Sequence, residues 1–400
     1  MKRRKVMVIL GTRPEAIKLC PVIRQLQYYV HDIETHVVVT GQHRSMLDQI
    51  LKFFGVTPDY DLDIMQDDQS LTDIIIRSLR GLESILQKND YQLVMVQGDT
   101  STAFVGALSA YYHKIPVAHV EAGLRTRNKF SPYPEEINRH FIDVLADLCF
   151  APTMSSKNEL LKEGTDPECI LVTGNTVIDA LLTTVNSHYE FMSEILKIIK
   201  FRPACHTLLA TVHRRENHGQ PLYEICQALK HLISTRDDLQ LVLPVHPNPN
   251  VYQEVHNILG DLDNTYLTEP LEYPDFVNLM ARAHIILTDS GGVQEEAPSL
   301  GKPVLVLRDT TERQESISAG TARLIGTQRE VIISAVNQLL DDPNQYEHMS
   351  QSINPYGDGR AAERIVQAIR YNFNLTNRKV DEFSSDNVWH GQAELTPLVR

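Results

Sequence analysis

Four acidic residues stand where chemistry is commonly done: Asp99, Glu121, Glu135 and Glu136. Asp99 and Glu121 each close a short apolar run of β type. Glu135 and Glu136 follow Pro134 at a predicted helix start, with Arg139 one turn later. Carboxylates gathered in a partly desolvated cleft have their pKa values pushed apart, which yields an acid and a base. Plainer readings exist: charge compensation of a helix start for Glu135 and Glu136, and a helix N-cap for Asp99. His213 is followed by Arg214 and Arg215. An ordinary strand-end histidine would suffice there, but two arginines beside it favour contact with an anion. Arg13 and Lys18 read either as surface charge or as anion ligands. Glu15 and Lys18 also have helical spacing for an ion pair, worth about 0.2–0.5 kcal/mol.

The run HIILTDSGGVQEEAPSLGKPVLVLR at 284–308 organises the rest. It reads as strand, Gly turn, short helix, strand, with Asp289, Ser290, Gly291 and Gly292 opening the helix. Backbone N–H groups at a helix start lack intrahelical partners and suit phosphate, and glycine lets the anion come close. Glu295 and Glu296 lie one turn further in, where a carboxylate accepts bonds from ribose hydroxyls or offsets the helix dipole. Pro298, inside that helix, should remove a hydrogen bond and bend the axis. The plain alternative is an ordinary strand–turn–helix corner with an Asp cap.

Several other chemistries lose support. No GxGxxG follows a strand and no GxxxxGK[ST] is present, so neither a nicotinamide cofactor nor P-loop chemistry is expected. HExxH is missing, and His213 and His246 have no partner at metal spacing, so no metal is expected. GxSxG, the mark of many serine hydrolases, is missing too.

These residues need a scaffold that collects them. Apolar strands are predicted at 6–10, 35–40, 92–97 and 116–120, with helices at 14–29, 43–54, 71–87, 100–113 and 134–146. A helical stretch at 175–200 leads to a second set of strands at 207–212, 239–244, 264–268, 284–288 and 303–307. Short apolar strands alternating with helices imply parallel sheets covered on both faces. The fold class is therefore α/β, with two doubly wound domains joined near 170–205. Ligands of such sheets bind outside the carboxyl ends of the strands, and nearly every polar residue named above falls there. Two such rims facing each other make one interdomain cleft. A closing helix is expected at 361–371, and 372–400, polar and patternless, as a poorly ordered tail.

Size and charge agree. Four hundred residues suit two domains with full cores. A net charge of −13 with no basic block argues against nucleic acid. No apolar stretch is long enough to span a bilayer, and the apolar run after the basic N-terminus is too short for a secretory signal. Five scattered cysteines read as reduced thiols of a cytoplasmic protein.

Taken together, GTRPEAIK at 11–18, QGDT at 97–100, HVEAGLR at 119–125, PEEINR at 134–139, GNTVID at 174–179, HRREN at 213–217, DSGGVQEE at 289–296 and NPYGDG at 354–359 resemble the non-hydrolysing bacterial UDP-N-acetylglucosamine 2-epimerases. The likeness runs in register from about residue 5 to 371. It implies two Rossmann-like domains of the GT-B type, 1–175 and 176–360, with the 361–371 helix crossing back onto the first, and a homodimer without cofactor. It also implies reversible conversion of UDP-N-acetylglucosamine to UDP-N-acetylmannosamine, by elimination and re-addition of UDP through 2-acetamidoglucal. By motif, Asp99, Glu121 and Glu135 resemble the acid/base group, with Arg139 and His213 assisting. Arg13, His213, Ser290, Gly291 and Gly292 would hold the diphosphate, Glu296 the ribose and Phe276 the uracil, with Lys18 and Arg313 completing the pocket. Gln42, His43, Gln69, Glu136, Arg214 and His246 resemble contacts to a second UDP-N-acetylglucosamine acting as activator. Leu271 stands where some members carry a polar residue, and Val212 replaces a small one. A UDP-sugar glycosyltransferase, a hydrolysing epimerase and a non-catalytic sensor are the rival readings.

Overall fold

The computed structural model describes residues 3–41, 44–65, 69–201 and 204–385. Its first half carries strands β1 (Arg4–Leu10), β2 (Ile33–Val39), β3 (Tyr60–Asp61), β4 (Leu93–Gln97), β5 (Val117–Val120), β6 (Leu148–Ala151) and β7 (Ile170–Val172). The second carries β8 (His206–Thr211), β9 (Leu239–Pro244), β10 (Thr265–Thr268), β11 (Ile285–Thr288), β12 (Val304–Val306) and β13 (Ala322–Leu324). They form two sheets, in the orders β3-β2-β1-β4-β5-β6-β7 and β10-β9-β8-β11-β12-β13. The pairings within both are parallel.

Strand β1 shows why both faces must be covered. Val6, Val8 and Leu10 enter one buried cluster and Met7 and Ile9 another, on opposite sides of the same strand. The first cluster does not stop at the first sheet. It runs through Ala180 and Leu181 to Tyr273 and Val277, and on to Leu209, Ile286 and Val306 of the second. The strand order reverses between β1 and β4 in one sheet and between β8 and β11 in the other. Crevices open at such switch points.

Several local expectations change. Strands β3, β6, β7 and β13 were not anticipated. The 175–200 stretch is two helices, Thr176–Thr184 and Glu194–Ile198, not one. Pro298 falls where the Gly291–Glu296 helix tightens into a 3-10 turn, Ala297–Leu300. Glu15 and Lys18 do not pair. Glu15 turns back onto the Gly11 and Thr12 amides, 2.9 and 2.7 Å, and takes the Thr100 hydroxyl at 2.6 Å. Lys18 is left for another carboxylate.

The closing helix Ala361–Asn372 packs against the Arg13–Tyr28 helix, with Arg370 on Asp32 at 3.0 Å and Gln367 donating to the Tyr29 hydroxyl at 2.7 Å. The segment after it is not a loose tail up to residue 385. Phe383 is buried, its N–H donates to the Val172 carbonyl, and Glu382 takes Lys157 at 2.7 Å. One aromatic side chain and one placed carboxylate suffice to dock a stretch whose composition is polar. Residues 386–400 lie outside the described residues.

Asp179 receives the first two amides of the closing helix, Ala361 and Ala362, at 3.1 and 2.8 Å. Burial first, then Asp358 nearby, push its carboxyl up to about 7. A raised carboxyl stabilises most when protonated, and that contribution is lost as pH rises through about 7. The Tm of the wild type should therefore lose ground to that of Asp179→Asn as pH climbs from about 5 to about 8. Thermal scans in which the gap between the two stays constant would contradict this.

Candidate active site

Each carboxyl-end loop delivers one element of the site. Glu121 follows β5 with a left-handed backbone, φ 70°. That conformation costs about 1–3 kcal/mol for a non-glycine residue and clusters at functional sites. Its carboxylate accepts from Lys18 Nζ at 2.5 Å, from Asn175 Nδ2 at 3.0 Å and from Gln97 Nε2. Burial alone would raise the Glu121 carboxyl, but Lys18, that hydrogen bond and Arg313 outweigh it and hold the group below the ordinary range. Lys18 is buried too, and Glu121 overcomes the desolvation to raise its ammonium.

Asp99, on the neighbouring strand end, pairs with Arg139, and its carbonyl accepts from Asn138 Nδ2 at 2.9 Å. A Cβ placed on Gly98 would lie 3.7 Å from Glu121 Oε2, so the two carboxylates flank one small residue. Glu135 shares a helix face with Asn138 and Arg139 and makes no hydrogen bond or ion pair among the described residues. Glu136 is spoken for: it takes the Thr126 and Arg127 amides at 3.0 and 2.8 Å and Arg139 at 3.1 Å.

The second half answers across the cleft. Asn175 Nδ2 also donates to Glu295 Oε2 at 3.2 Å, and Arg313 Nε donates to Glu295 Oε1 at 2.6 Å. Lys18, Glu121, Asn175, Glu295 and Arg313 thus form one chain of contacts through both halves. Asp289 is not the cap of the glycine helix. It is fully buried, takes His213 Nδ1 at 2.8 Å, the His213 and Arg214 amides at 3.0 and 2.9 Å and Asn217 Nδ2 at 2.9 Å, and so fixes the 213–217 loop. His213, with Nδ1 taken, keeps its other nitrogen for a ligand. Ser290 is the N-cap and makes no capping bond with its side chain. A Cβ on Gly291 would lie 3.4 Å from the Arg313 guanidinium, in ordinary contact, so Arg313 lies directly against the start of the glycine helix.

Two groups have unused capacity. Glu296 Oε2 is buried without a partner among the described residues, and burial first, then Glu295, push its carboxyl up to about 8. Arg13 makes no hydrogen bond or ion pair among the described residues, and burial lowers its guanidinium despite Glu272, Tyr273 and Glu296 nearby. An unpaired buried oxygen is costly, so Glu296 is suited to ligand hydroxyls, and the half-buried Arg13 to phosphates. Beside them a cavity of about 220 Å3 is walled by His213, His246, Leu271, Phe276, Ser290 and Val293.

Sequence reasoning missed Gln97, Asn175 and Asp289 as holders of the site, and left Glu295 without a partner. Of the activator candidates, His246 borders the cavity beside His213, and Arg214 is tied to the Asp289 carbonyl and to Glu312. Gln69 precedes the Leu71–Leu86 helix, its Oε1 buried and unpartnered. Gln42 and His43 lie outside the described residues.

Two parallel α/β sheets, joined by one chain of side-chain contacts and carrying clustered carboxylates at their strand ends, have the layout of a GT-B-type enzyme. The sequence model of the UDP-N-acetylglucosamine 2-epimerase family matches residues 28–370, and the chain belongs to that family. It is 49% identical over 384 residues to the UDP-N-acetylglucosamine 2-epimerase of Bacillus subtilis, spanning 96% of this chain and 100% of the relative. A crystal structure of the putative enzyme from Listeria monocytogenes superposes with a TM-score of 0.90 at 45% identity, covering 96% of this chain and 100% of that one. The Neisseria meningitidis enzyme bound to UDP-GlcNAc superposes at 0.83 with 46% identity, over 92% and 100% of the two chains.

Proposed function

We propose that the chain interconverts UDP-N-acetylglucosamine and UDP-N-acetylmannosamine without hydrolysis. The observation that carries this is the continuous contact chain from Lys18 and Glu121 through Asn175 to Glu295 and Arg313, flanked by the unpaired Arg13 and Glu296. The carbon-two proton of the sugar has no neighbouring carbonyl, so its acidity must come from departure of the diphosphate. A carboxylate takes that proton as the carbon–oxygen bond to UDP breaks, leaving 2-acetamidoglucal. UDP then adds back to carbon one, and a proton reaches the opposite face of carbon two. Asp99, Glu121 and Glu135 supply the proton transfers. Arg13, His213 and Arg313 stabilise charge on the leaving diphosphate, Glu296 takes ribose hydroxyls, and Phe276 borders the uracil.

The same reading makes the enzyme a cytoplasmic homodimer that feeds cell-surface polysaccharide synthesis. Phe141 and Val144, 51% and 83% exposed on the Glu135–Leu145 helix, favour pairing of chains there. It also gives a second UDP-N-acetylglucosamine an activating place near Gln69, Arg214 and His246. Incubation with UDP-N-acetylglucosamine in deuterated water tests the reaction. Deuterium at carbon two in both epimers is expected. Free UDP with free sugar would mean a hydrolase, and no exchange a transferase or sensor.

A further inference from the structure

Beneath Asp99 and Glu121 lies a buried polar cluster to which the mechanism gives no part. His119, on β5 two residues before Glu121, is fully buried. Its Nδ1 lies 2.6 Å from Asp143 Oδ1, and its Nε2 lies 2.7 Å from the Gly98 carbonyl. A carbonyl only accepts, so Nε2 must donate. Asp143 is ionised, since its other oxygen meets the Arg125 guanidinium in a buried ion pair. An ionised carboxylate also only accepts, so Nδ1 must donate as well. The partners therefore assign a proton to each ring nitrogen.

The positions of those partners give the cluster its meaning. Gly98, in the left-handed region at φ 70°, is the residue before Asp99. Asp143 Oδ2 takes the Gly123 amide at 3.3 Å and Arg125 at 2.7 Å, just past Glu121. Arg125 is locked further by Glu163, at 2.6 and 2.8 Å. One imidazole thus ties the strand end carrying Asp99 to the anchor of the strand end carrying Glu121. A further titratable neighbour is Cys149, which pairs with His119 from the adjacent strand β6. Burial and then Asp143 push its thiol up, so it stays neutral.

We infer that His119, donating from both ring nitrogens, is a positioning residue that sets Asp99 and Glu121 at their working separation. The inference rests on the epimerase reading. A carboxylate displaced by about 1 Å can lose on the order of 100-fold in rate without loss of binding. The contacts proposed for UDP lie mainly in the other half of the molecule, so UDP affinity should survive.

The test compares His119→Gln and His119→Phe with wild type by kcat, KM and UDP affinity, and locates the ring hydrogens of wild-type His119 by neutron diffraction. Expected are a fall in kcat of about 100-fold, UDP affinity within about twofold of wild type, and deuterons on both nitrogens. Variant kcat within about threefold of wild type overturns the inference, as does an equal loss of UDP affinity, which would mark general unfolding. A single deuteron on the ring overturns it even if neither variant folds. Wild-type turnover by itself tests the epimerase reading, while the ratio of variant to wild type tests this one.

Discussion

Glu121→Gln is expected to lower kcat by about 100- to 10,000-fold, the usual worth of a positioned acid or base. The substitution keeps the shape of the side chain and removes its charge. Asn175 Nδ2 and Gln97 Nε2 both donate toward this group. A carboxamide would have to turn its own N–H groups toward one of those donors, and Lys18, with an 18% exposed side chain, would lose its counter-charge. Some loss of stability must therefore accompany the loss of rate. The two effects separate experimentally, because most of the contacts proposed for UDP, His213, Ser290, Glu296 and Arg313 among them, lie in the other half of the molecule. Calorimetric UDP affinity close to wild type beside collapsed turnover supports the assignment. A variant that turns over within tenfold of wild type would remove Glu121 from the chemistry. Glu121→Asp, which keeps the charge and withdraws it by one methylene, should fall between the two.

Arg313→Met carries the largest expected effect on stability. The Arg313–Glu295 contact at 2.6 Å joins side chains that are 21% and 4% exposed. Removing one member of a buried pair strands the other charge and costs about 3–5 kcal/mol. Among the described residues the stranded carboxylate would keep one hydrogen bond, from Asn175, which it shares with Glu121, and the more distant charge of Lys18. UDP affinity should drop as well, since Arg313 faces the glycine turn. Replacing both partners, Arg313→Met with Glu295→Gln, leaves no orphan charge and should recover much of the stability while leaving UDP binding weak. Denaturant unfolding of the two single variants and the double variant gives the coupling. Simple additivity of the singles would mean that the pair does not act as a unit.

The strands that carry the site were legible because each is an apolar run ending in a glycine or a polar turn: β1 before Gly11, β4 before Gly98, β11 before Asp289. Strands β6, β7 and β13, of 4, 3 and 3 residues, were not. Runs that short have no period to detect, and only their neighbours in the sheet make them strands. The acid pair Asp99 and Glu121 was readable from position, and the structure sets both beside Gly98. Their partners were not readable from local rules. Lys18 has Glu15 three residues away, yet bonds Glu121 across 103 positions, because Glu15 is consumed by its own helix start. Asn175 read only as the first residue of a helical stretch, and only the crossing of the chain between halves puts its amide between two carboxylates. The left-handed backbone of Glu121 had no sequence signal at all, since nothing in the types around it marks an L-residue for that region.

The apolar cluster shared by both halves has a practical consequence. A protein cut between the two sheets would bare Leu181, Tyr273 and Val277 on one fragment and first-half members of the same cluster, such as Leu19 and Ile23, on the other. Such fragments would clump before they could be studied singly. Heating the intact chain should melt both sheets in one step, and a protease that nicks the crossing should find the pieces still clinging together.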